Sequence, residues 1–142
     1  MRMACLTKGA AVTMAAVLVA GMAPGIAGAQ SAPTEVSRLG GAEVTRHMHN
    51  FLDAEERAFL EVITSAPEAL EVLLGGAPDG HAAMAVAPGE GLIRDGMPVD
   101  SAHAVAGLGN AAAARAAAQE GCDAARQSGP ACVVVLEVAP GN

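Results

Sequence analysis

The stretch from Asn110 to Val138 constrains the fold more than any other part of the chain: an alanine-rich segment, NAAAARAAAQEGCDAARQSGP, followed by the apolar run ACVVVLEV. Asn110 is a favoured N-cap. The residues after it, Ala111 to Ala114, Arg115, Ala116 to Ala118, Gln119 and Glu120, are among the strongest helix formers. Gly121 costs a helix about 1 kcal/mol relative to alanine, which weakens the turn carrying Cys122, Asp123 and Arg126, and Gly129 and Pro130 stop the helix. In the run that follows, Cys132 to Leu136 and Val138 are apolar without alternation, which predicts a strand covered on both faces and therefore central in its sheet. One helix folds back on one buried strand.

The amino-terminal end carries the parts of a secretory signal over residues 1–29. Arg2 and Lys8 charge the start, an uncharged stretch runs to about Ala23, and Ala27-Gly28-Ala29 offers the small residues that a signal peptidase accepts. Pro24 and Gly25 interrupt the apolar stretch short of the roughly 20 residues a spanning helix needs, so cleavage after Ala29 is expected, with no membrane span afterwards. No cysteine follows the site to take a lipid, and no Arg-Arg pair marks export of folded protein. The expectation is a periplasmic or secreted bacterial protein with a flexible lead-in over 30–36 and a single domain over 37–142.

In that exported part, six arginines stand against fifteen acidic residues, a net charge of −9, which disfavours nucleic acid and anionic membrane as partners. Cys5 leaves with the signal. Cys122 and Cys132 remain in an oxidising compartment, where a disulfide is the expected outcome; a redox dithiol normally uses the C-x-x-C spacing.

Between these ends the chain reads as helical over 37–76 and as β-β-α-β over 80–138. Leu39, Val44 and Met48 give a modest helical pattern weakened by Gly40 and Gly41. Asp53 and Glu56 match a capping box ahead of Phe59, Leu60, Val62 and Ile63, and Pro67 opens a second helix that ends at Gly75-Gly76. Phe51 and Phe59, the two aromatic residues, are placed to share a helix face. Short apolar stretches then predict strands at about 82–87, 91–94 and 99–106, with Asp95-Gly96 as a hairpin turn. The fold class is α+β: a small antiparallel sheet packed against the alanine-rich helix, with the amino-terminal helices covering the rest.

The order of Ala-rich strand, Gly91-Leu92, second apolar stretch, alanine helix, Cys122, loop and Cys132-Val133-Val134-Val135 resembles a family of small secreted bacterial proteins of unknown function, over about residues 81–138. Some such proteins carry the label aminolevulinate synthase. A pyridoxal enzyme needs a lysine for its Schiff base, and Lys8, inside the signal, is the one lysine in the chain.

The same lack of lysine removes the P-loop and other amine chemistry, and Ser31, Ser37, Ser65, Ser101 and Ser128 include none in a Gly-x-Ser-x-Gly elbow. His47-Met48-His49 is the one conspicuous cluster. Placed on a helix, its two imidazoles diverge, and a closed soft-metal site would need His81 and His103, with Met84 and Met97, to join them in space. Asp53, Glu55, Glu56 and Glu61 sit where negative charge favours a helix start, Gly89-Glu90-Gly91 reads as a loop, and Asp95 and Asp100 lack the spacing of a calcium loop. The reading these residues support is a non-catalytic exported module without cofactor, engaging a protein of the envelope, its contact surface drawn from Phe51, Phe59, Leu70, Leu73 and Leu74. A periplasmic His/Met metal binder and a hydrolase with an unrecognised site stand as the alternatives.

Overall fold

A computed structural model describes residues 31–76 and 79–141; the expected signal segment over 1–29 lies outside the described residues. The chain forms strands β1 (Thr34–Leu39) and β2 (Ala42–His47), helices α1 (Ala54–Ile63) and α2 (Pro67–Leu74), and strands β3 (His81–Val86), β4 (Ile93–Arg94), β5 (Met97–Pro98) and β6 (His103–Leu108). Helix α3 (Ala111–Ala125) and strand β7 (Val133–Ala139) complete it. This is an α+β fold. Its antiparallel sheet has the order β1-β2-β7-β3-β6, so the valine strand β7 is central, as its unbroken apolar run requires.

The helices form where the local signals put them. Asp53 accepts the Glu56 N–H while Glu56 accepts the Asp53 N–H, both at 2.9 Å, closing the capping box of α1. Pro67 opens α2 and Gly75 closes it in the left-handed conformation. Asn110 caps α3, its Oδ1 accepting the Ala113 N–H at 2.9 Å. Asp95 and Gly96 both have positive φ, at 53° and 76°, and make the tight turn between β4 and β5. That hairpin is only two residues a side and stands apart from the main sheet, so the expected strands 91–94 and 99–106 become a short separate hairpin and a strand that starts later, at His103.

The expected lead-in and the first part of the expected helical region are instead the hairpin β1–β2. Gly40 and Gly41, at φ 58° and 86°, form a two-residue turn that only residues free of a Cβ adopt readily. A helix would have to hold both glycines in its interior, at about 1 kcal/mol each. What decides the matter is remote: β2 pairs with β7, Val44 opposite Val138 and Arg46 opposite Leu136, which seats Val44 fully in the core. Phe51 accordingly precedes α1 rather than sharing a helix with Phe59.

The sheet is covered on both faces. Alternate residues of β3 point opposite ways, Ala83 and Ala85 toward α3, Ala82, Met84 and Val86 toward α1 and α2. On the α3 side, Ala114, Ala118 and Cys122 form an i, i+4, i+8 stripe against those alanines, a contact between small side chains that lets helix and sheet approach closely. The other side carries the larger side chains, including Leu60, Ile63, Leu70, Leu74, Leu92, Leu136 and Val138.

Cys122 and Cys132 are joined by a disulfide, their Cα atoms 6.1 Å apart, between the last turns of α3 and the approach to β7. Asp123 reinforces the junction by accepting the Cys132 N–H at 3.0 Å and the Arg126 Nε–H at 2.7 Å. These two hydrogen bonds, the Cys132 amide first, hold the Asp123 carboxyl below the usual range. Helix α3 continues through Gly121 to Ala125. Gly121 serves packing instead, because the His103 ring lies against it so closely that a Cβ would collide with the imidazole.

Candidate functional site

Beyond the sheet on the α1–α2 side, core residues at its floor and partly covered or exposed residues at its sides enclose a groove of about 720 Å³. Phe59 and Ile63 come from α1, Val72 and Leu73 from α2, Met84 from the floor of the sheet, Met97 and Pro98 from the β4–β5 hairpin, and Ala102 and Ala104 from β6 and its lead. Helix α2 puts Val72 on the rim because Leu70 and Leu74 are committed to the core; the Asp95-Gly96 turn throws Met97 out on the hairpin. Val72 is 83% exposed and Met97 67%. Glu68, one turn before Val72, is the charged residue among those lining the groove.

Of the residues expected to form a contact surface, Phe59 and Leu73 line this groove. Leu70 and Leu74 are buried core residues, only 3% and 7% exposed. Phe51 lies elsewhere, its ring stacked on His49 with centroids 5.3 Å apart. Sequence reasoning missed Val72 and Glu68, and named Met97 only as a possible metal ligand. A signal existed for Val72: on a helix whose Leu70 and Leu74 face inward, an apolar residue two positions from each points out.

The four histidines occupy three places. His47 stands at the end of β2 with Nε2 2.6 Å from Glu137 Oε2, and His49, just beyond, bonds the Val134 carbonyl through Nε2 at 2.9 Å. They belong to a strand and its exit, not the expected helix, for the reason given for the hairpin. His81, opposite Leu108, lines a cavity of about 320 Å³ with Arg38 and Glu43, and His103 packs on Gly121. Among the described residues, no group of three or more His, Cys, Asp and Glu side chains is placed to hold a metal ion. Met84 and Met97 both border the apolar groove.

Four acidic groups act as internal ties. Glu56, buried, bonds the Leu92 N–H at 2.5 Å through Oε1 as well as closing the capping box through Oε2, and so joins α1 to the loop after β3. Gly91 makes room for it: a Cβ there would stand 2.5 Å from Oε1. Glu90 accepts the Gln127 and Ser128 N–H groups at 2.5 and 3.2 Å. The Ser101 hydroxyl, then the Gln127 amide, hold Glu90 below the usual carboxylate range. Ser101 Oγ is buried outside strict hydrogen-bond geometry, so the two amides are the firm contacts. Asp123 ties the disulfide junction, as described. Glu137, on β7, takes Arg115 Nη1 of α3 on Oε1 at 2.8 Å and His47 of β2 on Oε2. Burial is the largest single influence on Glu137 and acts to raise its pKa, but the Arg115 and His47 hydrogen bonds together outweigh it and leave the carboxyl below the usual range.

No family model, curated protein or solved structure matches this chain. Among the described residues, no helix is long and apolar enough to cross a membrane.

Proposed function

We propose that this chain is an exported, non-catalytic accessory module that engages a partner protein of the envelope through the groove between α1–α2 and the β4–β5 hairpin. The observation that carries the reading is the exposure of Val72 and Met97, from two different elements, along one apolar concavity. A contiguous apolar surface of this kind marks an interaction site in a protein that otherwise covers its core. An open groove with an apolar rim suits an apolar side chain carried on a partner's segment. Glu56, Glu90, Asp123 and Glu137 are engaged in holding elements together, and the cavities that include His81 and His49 lack, respectively, a hydroxyl and a carboxylate. The Cys122–Cys132 disulfide supports an oxidising compartment, periplasmic or extracellular, and agrees with the signal-like residues 1–29.

Titration with the neutral apolar dye N-phenyl-1-naphthylamine tests the groove directly. Saturable fluorescence enhancement is expected, weakened in Val72→Glu and Met97→Glu, both at exposed positions where the fold tolerates charge. No saturable binding, or binding indifferent to both substitutions, overturns the reading.

A further inference from the structure

We infer that the segment seated in this groove is cationic: an apolar anchor side chain flanked by Lys or Arg whose charge faces Glu68. The inference rests on the groove being the contact surface, and it adds the chemistry of what fills it. Glu68 lines the groove beside Ala69 and Val72 and is exposed. None of the ion pairs formed among the described residues includes it: Glu35 has Arg46, Glu137 has Arg115 and His47, and Asp123 has Arg126. The other lining residues are apolar or glycine, so an arriving chain meets an apolar trough with one negative charge at its side. Arg94 stands opposite Met97 in the hairpin, but the net charge of the exported part has the sign of Glu68, six arginines against fifteen acids, which draws a basic segment in and disfavours both an acidic one and an anionic bilayer. Val72 and Met97 then cover the anchor side chain while the flanking cation stays wet at Glu68.

Glu68 also stands in the first turn of α2, where a negative charge favours the helix dipole. A purely structural role would show in stability and leave binding preference untouched, so the two roles separate in one experiment. Three fluorescently labelled peptides share a Leu/Phe core and carry Arg, Gln or Glu on the flanks. Their affinities are measured by anisotropy on the unaltered protein, Glu68→Gln and Glu68→Lys, at low and high salt, with melting temperature and naphthylamine binding read on the same samples. The Arg peptide is expected to bind tightest, its advantage to fall about fivefold in Glu68→Lys, and the difference to narrow as salt screens the pair. Equal affinities for the three peptides, or an Arg preference that survives Glu68→Lys, overturns the cationic partner while the groove stands. Dye binding without any peptide binding overturns a protein segment altogether. Failure of dye and peptides together removes the groove as the contact surface.

Discussion

Gly121 and Glu137 show how much a single position is asked to do. On propensity alone, Gly121→Ala should strengthen α3 by about 1 kcal/mol. The His103 ring occupies the space a methyl would need, so the substitution is expected to destabilise by about 1 to 3 kcal/mol, as overpacking does. Adding His103→Ala should recover most of the loss. Chemical denaturation of the two variants checks this, and a more stable single variant would refute it. Glu137 gives a pH signature. Its folded-state pKa lies below the ordinary value, so the stability it contributes is present above the unfolded-state pKa of about 4.3 and is lost as pH falls through the lower folded value. Glu137→Gln should therefore melt well below the unaltered protein at pH 7, and the gap should shrink as pH falls below about 4. A gap independent of pH would show that the Arg115 and His47 contacts contribute nothing through charge.

At the scale of elements, the devices are ties between pieces that have little to bury. Helix α3 contributes mainly alanines to its interface, and the Cys122–Cys132 bond fastens it to the strand it packs on. Reduction, or Cys122→Ser with Cys132→Ser, is expected to cost about 2 to 3 kcal/mol on the loop-entropy account for so short a loop, read as a lower denaturant midpoint. Helix α1 depends on Glu56 twice, for its cap and for the Leu92 tie. Glu56→Ala should cost about 2 to 4 kcal/mol, since it removes the return half of the capping box and leaves the Leu92 N–H without its acceptor. Asp53→Ala, which removes the cap alone, should cost about 1 kcal/mol. Equal losses in the two variants would dissolve the distinction between cap and tie. The hairpin β1–β2 turns on Gly40 and Gly41, whose positive φ values an alanine pair would meet only with strain.

For the whole molecule, helices cover both faces of the sheet, and among the described residues an apolar groove stays open between α1–α2 and the β4–β5 hairpin, where the proposed contact lies. Much of this arrangement was legible from local order. Asp53 with Glu56, Pro67, Gly75, Asn110 and Asp95-Gly96 are signals whose partners lie within a few residues, and each element begins, turns or ends where they say. The centrality of β7 followed from a run too apolar to show a wet face. Residues 34–47 misled because their apolar spacing is sparse and the cause of their strand conformation, the pairing of β2 with β7, lies at the other end of the chain. The groove was half legible: Phe59 and Leu73 stood out by size, but whether Leu70 or Val72 faced water depended on which side of α2 met the sheet. Residue by residue, then, the chain determined helices α1, α2 and α3, the Asp95-Gly96 turn and its cystine, because those are short-range matters of backbone conformation, charge and thiol chemistry. Which strand neighbours which, where the histidines stand, and which apolar side chains remain uncovered were decided only by tertiary packing, since burial is a property of surfaces brought together from distant parts of the chain.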